Sequence, residues 1–238
     1  MNRLSTGMFS GLLSGPQRKA TLILLWAPVV MIVWKYYGTR PFYLTHLAST
    51  FGSGDPAQAA ELYTFGSAFL LLGVVSLLAI RFIFKEPLAN YGIGLGDWKF
   101  TLKAILVVAP VFALLSFPSS KDPQFLAEYP IFKGAAVSAG AFAWHALAYL
   151  FFYAGWEIFF RGFMQFGLRD ALGDWNAIFV QTALSCVIHI GKPDGEIFSS
   201  ILGGLLWGIL AFRSRSLIST IATHWVLGVS LDLYICFF

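Results

Sequence analysis

The chain reads as an all-α, polytopic helical membrane protein with about seven transmembrane helices, and three observations point that way. Charge is scarce: 12% of the 238 residues are Asp, Glu, Lys or Arg, against about 25% in soluble domains. Apolar residues make up 58% of the chain, and the mean hydropathy is +0.72. The apolar residues also fall in long runs broken by turn-rich connectors, the pattern that helices crossing ~30 Å of hydrocarbon require. A soluble domain of this composition would lack the polar surface to cover itself, whereas the 24 Phe and 8 Trp suit lipid-facing and interfacial positions.

The runs predict spans at about 20–37, 61–83, 101–118, 134–156, 176–190, 196–212 and 216–237. The first follows Arg18 and Lys19, ends in Trp34, Lys35 and Tyr36, and has no small-residue cleavage site, so it reads as a retained signal anchor. Gly52, Ser53, Gly54 and Pro56 precede the second span. Glu86, Pro87, Gly92 and Gly96 lie between the second and third, and Pro118 and Pro123 bracket the next connector. Gly173 and Asp174 turn the chain into the fifth span. Gly191, Pro193 and Gly195 separate it from the sixth, and Arg213 to Ser216 separate the last two. Asp174 and Asp194 are expected as helix N-caps. Several runs are shorter than the ~20 residues a full crossing needs, so they extend into polar-flanked ends or line a cavity. The two halves, 1–133 with about three spans and 134–238, form one integrated membrane domain.

With the N-terminus inside, the inner segments hold Arg3, Arg18, Lys19, Arg81, Lys85, Lys99, Lys103, Arg161, Arg169, Arg213 and Arg215. The outer ones hold Lys35, Arg40, Lys121, Lys133 and Lys192, a bias of eleven to five. Lys and Arg accumulate on the cytoplasmic side, so this predicts a cytoplasmic N-terminus in a prokaryotic inner membrane. No basic cluster of the kind nucleic acid needs is present. Cys186 and Cys236 stand in apolar runs without CxxC spacing and read as small buried hydrophobes.

Ionisable residues inside spans are uncommon and face a bundle interior or a wet cavity. Here they are His145, Glu157, Arg161, His189, Glu196, His224 and Asp232. Glu157 and Arg161 share a helix face and can neutralise each other. His145 reads as a satisfied bundle histidine, and Glu196 as a carboxylate favoured by a helix N-terminus. Ser200, Gly204 and Gly208 form a small-residue ridge for close helix packing. Lys192 reads as an interfacial snorkelling lysine.

Depth singles out three of the charged and polar residues. Glu157 and His189 each lie 16 positions from Gly173, so antiparallel neighbours joined at that turn bring both to roughly 20 Å from it. His224 lies in the final span near the same level. Such a set offers a general base in Glu157 and two imidazoles to position water or stabilise an oxyanion. Glu157, His189 and His224 also match the ligand count of a catalytic zinc site, three protein ligands plus water. HExxH is absent, so the pattern leaves a divalent metal open without requiring one.

The same residues resemble the CPBP intramembrane proteases, also called the Abi or type II CAAX prenyl protease family, over Trp156 to about Asp232. The family's EExxxR motif aligns with Trp156, Glu157 and Arg161, followed by Gly162 and Phe163. Its FxxxH motif aligns with Ser185 and His189. Its HxxxN or HxxxD motif aligns with His224 and Gly228. The resemblance implies a catalytic bundle over 134–238 and hydrolysis of a peptide bond in a membrane-associated peptide or protein. On the residues present, we expect Glu157 to activate water with Arg161 orienting it, His189 to bind that water or polarise the carbonyl, and His224 with Asp232 to stabilise the oxyanion. Trp156 replaces the glutamate that the family uses to activate water, Ser185 replaces a Phe, and Gly228 replaces the Asn, with Asp232 one turn further along. Those departures keep open an inactive relative acting as a membrane scaffold or bacteriocin-immunity-type protein. A proton-coupled transporter is the remaining alternative, although the N-terminal half shows no counterpart to the C-terminal charges.

Overall fold

The computed structural model describes residues 14–51 and 54–238. Arg3 with the rest of positions 1–13, and Gly52 and Ser53, lie outside the described residues. Among those described the structure is helical, with no strand. The principal helices are α1 (Gly15–Tyr37), α2 (40–51), α3 (Pro56–Phe84), α4 (Trp98–Ser119), α5 (Pro123–Glu128), α6 (139–172), α7 (Asp174–Ile188), α8 (Asp194–Ser214) and α9 (Ile218–Phe237).

Five of these, α1, α3, α4, α8 and α9, are long and apolar enough to cross a membrane, and the chain is a helical integral membrane protein. The other two predicted spans take a different form. The run at 134–156 starts as helix only at Ala139, then passes unbroken through widened, π-type turns at Ile158–Phe166 to Leu172. Glu157, Arg161 and Gln165, all buried, follow the run on this same helix. The run at 176–190 becomes α7, 15 residues long. At ~1.5 Å per residue that is about 22 Å, short of a full crossing.

Local chemistry fixes most helix starts. Asp55 accepts from Ala57 N at 2.9 Å, Asp97 from Phe100 N at 3.1 Å, Asp122 from Gln124 N at 2.7 Å, and Ser138 from Ala141 N at 3.1 Å. Each satisfies a first-turn amide that has no helical partner. Asp174 and Asp194 stand in the first turn rather than at the cap, which Gly173 and Pro193 occupy. The dipole favours their carboxylates there all the same.

Two close approaches set the architecture around α6. At its crossing with α3, Gly73 and Gly155 bring backbone against backbone; a Cβ on Gly155 would lie 2.6 Å from Ala68 O and 2.7 Å from Phe69 Cα. Overpacking of this kind costs about 1–3 kcal/mol, so Gly155→Ala is expected to lower resistance to unfolding in mixed SDS micelles by that amount. Equal stability of variant and wild type would show that the crossing has slack. The second approach is the ridge of α8. Gly204 packs on Thr182 and Gly208 on Gln165 and Ile178, while Gln181 Nε2 donates to Gly204 O at 2.9 Å and Gln165 Nε2 to Gly208 O at 2.8 Å. Small residues here expose backbone carbonyls to side-chain amides, which binds α8 to α6 and α7.

The 88–97 connector then anchors the start of α9. Leu217 N donates to Gly92 O at 3.0 Å, Ser216 Oγ to Gly94 O at 2.6 Å, and Asp97 N to Ser214 O at 2.7 Å. Gly96, at φ +53°, presses so closely on Ser214 that no side chain fits. Fixing the α8–α9 turn in this way sets the rotation of α9, and with it the direction in which His224 points.

Candidate active site

Glu157 sits where the regular part of α6 gives way to its widened turns, a distortion frequent at functional sites. The side chain is fully buried. Its Oε1 accepts from Arg161 Nη1 at 3.0 Å and from His224 Nδ1 at 2.8 Å. The expected neutralisation of Glu157 by Arg161 is therefore joined by an imidazole from α9. A single aromatic platform supports both partners. Trp207 of α8 stacks on the His224 ring at 3.8 Å and 22°, and its ring lies 5.4 Å from Arg161 Cζ. Trp207 Nε1 is itself held by Thr223 Oγ1 at 3.0 Å. Nothing in the spacing of the sequence marks Trp207; only the contact of α8 with α9 reveals its role.

His189 caps α7. Its Nδ1 lies 2.6 Å from Ser185 O, a pure acceptor, so Nδ1 carries the hydrogen and Nε2 is the bare nitrogen. The depth match with α6 is met by Trp156, whose ring meets His189 edge-on at 5.4 Å. Consecutive helical residues point ~100° apart, so while Trp156 faces His189, Glu157 faces α9. The structure thus brings Glu157 to one of its two expected imidazoles.

Arg161, His189 and His224 line one cavity of about 340 Å³, together with Tyr129, Tyr153 and Glu196. Phe112, Leu115, Leu202, Leu206 and Leu227 form its apolar side. Glu157 stands behind this wall and does not line it. Tyr129 donates to both Glu196 oxygens at 2.9 Å. Burial, with the Glu196 carboxylate beside it, pushes the Tyr129 hydroxyl well above the ordinary tyrosine range, so it stays a donor. Lys192, at the rim, pairs with Glu128 and lies 5.0 Å over the Tyr129 ring.

Asp232 is placed differently from its expected role beside His224. It is fully buried and accepts at 2.7 Å from Nε2 of His145, whose Nδ1 bonds Glu61. Asp232 lies eight positions, about two helical turns, beyond His224, and His145 stands nearer to it. At Gly228, the Tyr153 hydroxyl occupies the space a side chain would need. Glu61 comes from the N-terminal half, so that half does contribute a buried charge, contrary to the sequence-based expectation. It was hidden because Glu61 sits at the edge of its apolar run.

The zinc-type set is not assembled. Among the described residues no three His, Cys, Asp or Glu side chains are placed to hold a metal ion. Glu157 Oε1 is taken by Arg161 and His224, and His224 turns Nδ1 toward that carboxylate rather than toward His189. The donor set as arranged does not fit.

Residues 138–229 match the model of the type II CAAX prenyl endopeptidase Rce1-like family. The C-terminal bundle is similar to that family over this stretch. The match runs from the N-cap of α6 into α9 and takes in Glu157, Arg161, His189, Glu196 and His224, leaving Glu61 and Asp232 outside it. The two residues of the CAAX-protease-like bundle that depart most from the family's motifs, Trp156 and Gly228, are the two whose space the fold has reassigned: one to aromatic packing, the other to the Tyr153 hydroxyl. Among curated proteins and solved structures, none matches the chain.

Proposed function

We propose that this protein is an intramembrane endopeptidase that hydrolyses a peptide bond in a membrane-associated peptide or protein. One observation carries the reading: two imidazoles from different helices line one cavity, each with Nδ1 fixed by its own acceptor. Fixing Nδ1 leaves each Nε2 for a cavity occupant. His189 then presents a bare acceptor to a water molecule. His224, when it carries both ring hydrogens, presents Nε2–H to the oxyanion that forms as the carbonyl is attacked. Glu157 is a positioning residue that acts through His224, and Arg161 gives it a counter-charge in its buried setting. The apolar side of the cavity suits the hydrophobic part of a membrane-bound substrate. With the buried Arg161 left out, the Lys and Arg bias of ten to five over the seven predicted spans supports a cytoplasmic N-terminus.

The test uses purified protein in liposomes with a library of quenched-fluorescent peptides carrying an apolar anchor. His189→Ala and His224→Ala are each expected to lower kcat/KM at least ~10²-fold, the usual contribution of such groups. Undiminished cleavage by both variants would exclude the cavity as the site of hydrolysis.

A further inference from the structure

Peptide hydrolysis needs a group that takes a proton from water, and Glu157 does not reach the cavity. Only one carboxylate does among the described residues: Glu196, in the first turn of α8. Its Oε1 lies 3.9 Å from Nε2 of His189. That separation is too long for a direct hydrogen bond and short enough for both atoms to hold one water molecule. The carboxylate is also aimed, because Tyr129 donates to both of its oxygens at 2.9 Å. Trp156, the residue standing where the family carries its water-activating glutamate, packs edge-on against this same His189 at 5.4 Å.

We infer that Glu196 is the catalytic base, activating a water held between its carboxylate and His189. The inference rests on the peptidase reading above and adds its proton acceptor. One hydrogen of the water points to Glu196 Oε1 and the other to His189 Nε2. As the water oxygen bonds to the scissile carbonyl carbon, its O–H bond breaks and the proton passes to Glu196. The carbonyl π pair moves to oxygen, where the Nε2–H of the His224 imidazolium, whose Nδ1–H is held by Glu157, receives it. When the C–N bond breaks, Glu196 returns the proton to the departing nitrogen, which leaves as an amine beside the new carboxylic acid.

The same peptide library in liposomes tests this. Glu196→Gln is expected to lower kcat at least ~10²-fold with KM within about twofold, and Glu196→Asp is expected to retain more activity than Gln. The wild-type pH profile should show an acid limb to which both Glu196 and His189 contribute, and the residual activity of Glu196→Gln should keep only the shallower limb left by protonation of His189. The other titratable and charged groups around the pair, His224, Arg161, Tyr129, Tyr153, Lys35, Lys192, Glu128 and Asp232, remain in that variant. Should Glu196→Gln fail to fold, Tyr129→Phe serves instead: it keeps the carboxylate, releases its anchor, and is expected to reduce kcat about tenfold. A Glu196→Gln protein retaining a third or more of wild-type kcat, while His189→Ala is inactive, overturns the inference and leaves the peptidase reading standing. A wild-type protein that cleaves nothing in the library overturns both.

Discussion

Replacing His145 with alanine is expected to destabilise the bundle by about 3–5 kcal/mol, the cost of breaking a buried ion pair by removing one partner. His145 lies between Glu61 of α3 and Asp232 of α9, and all three side chains are at most 1% exposed. With the imidazole gone, two carboxylates face each other in an apolar interior without a counter-charge. The loss is measured by steric-trap unfolding in bicelles against wild type. The triple variant Glu61→Met, His145→Leu, Asp232→Leu should recover most of it, because a buried ionic group replaced throughout by apolar side chains of similar volume is often no less stable. If His145→Ala unfolds like wild type, the triad does not hold the three helices together.

Glu157→Gln is expected to act on both stability and rate. Arg161, only 1% exposed, loses its counter-charge, which again costs about 3–5 kcal/mol. His224 loses the carboxylate that fixes Nδ1, so the ring can adopt the wrong tautomer or rotate on Trp207. Cleavage in the liposome assay is expected to fall about 10²-fold, with KM little changed because Glu157 does not touch the cavity. Paired with His224→Ala, the effects should be strongly non-additive, since Glu157 acts through that ring. Additive losses would show that Glu157 contributes by a route other than His224.

Much of the fold was legible because a membrane imposes a one-dimensional constraint. Hydropathy located five full spans, and the connectors built on Gly and Pro fell where the helices end. The other two runs take a different form: 176–190 gives the 15-residue α7, and 134–156 gives the first part of α6, which begins at Ala139 and continues beyond the run to Leu172. Hydropathy measures composition along a run. It does not measure how far polar residues push a helix inward, away from lipid.

The candidate site was legible to the level of depth. Counting from Gly173 placed Glu157 opposite His189, and depth with the motif series selected His224 as their companion. Counting could not say that Trp156 would take the contact with His189 while Glu157 turned to α9. A helix turns by ~100° per residue, so spacing fixes height but not the direction of the neighbour. Asp232 shows the same limit: its register put it on the His224 face, yet His145 from another helix claimed it.

Composition, hydropathy and motif order by themselves determined that the chain is helical, membrane-embedded and CAAX-protease-like in its C-terminal bundle, because these depend on residue type and separation alone. Tertiary structure alone decided which carboxylate meets the cavity, which histidine Glu157 holds, and where the Glu61 charge is spent. Those outcomes depend on helix rotation and on neighbours far apart in the chain, and Coulomb and hydrogen-bond energies are realised only at distances of about 3 Å that the packing sets.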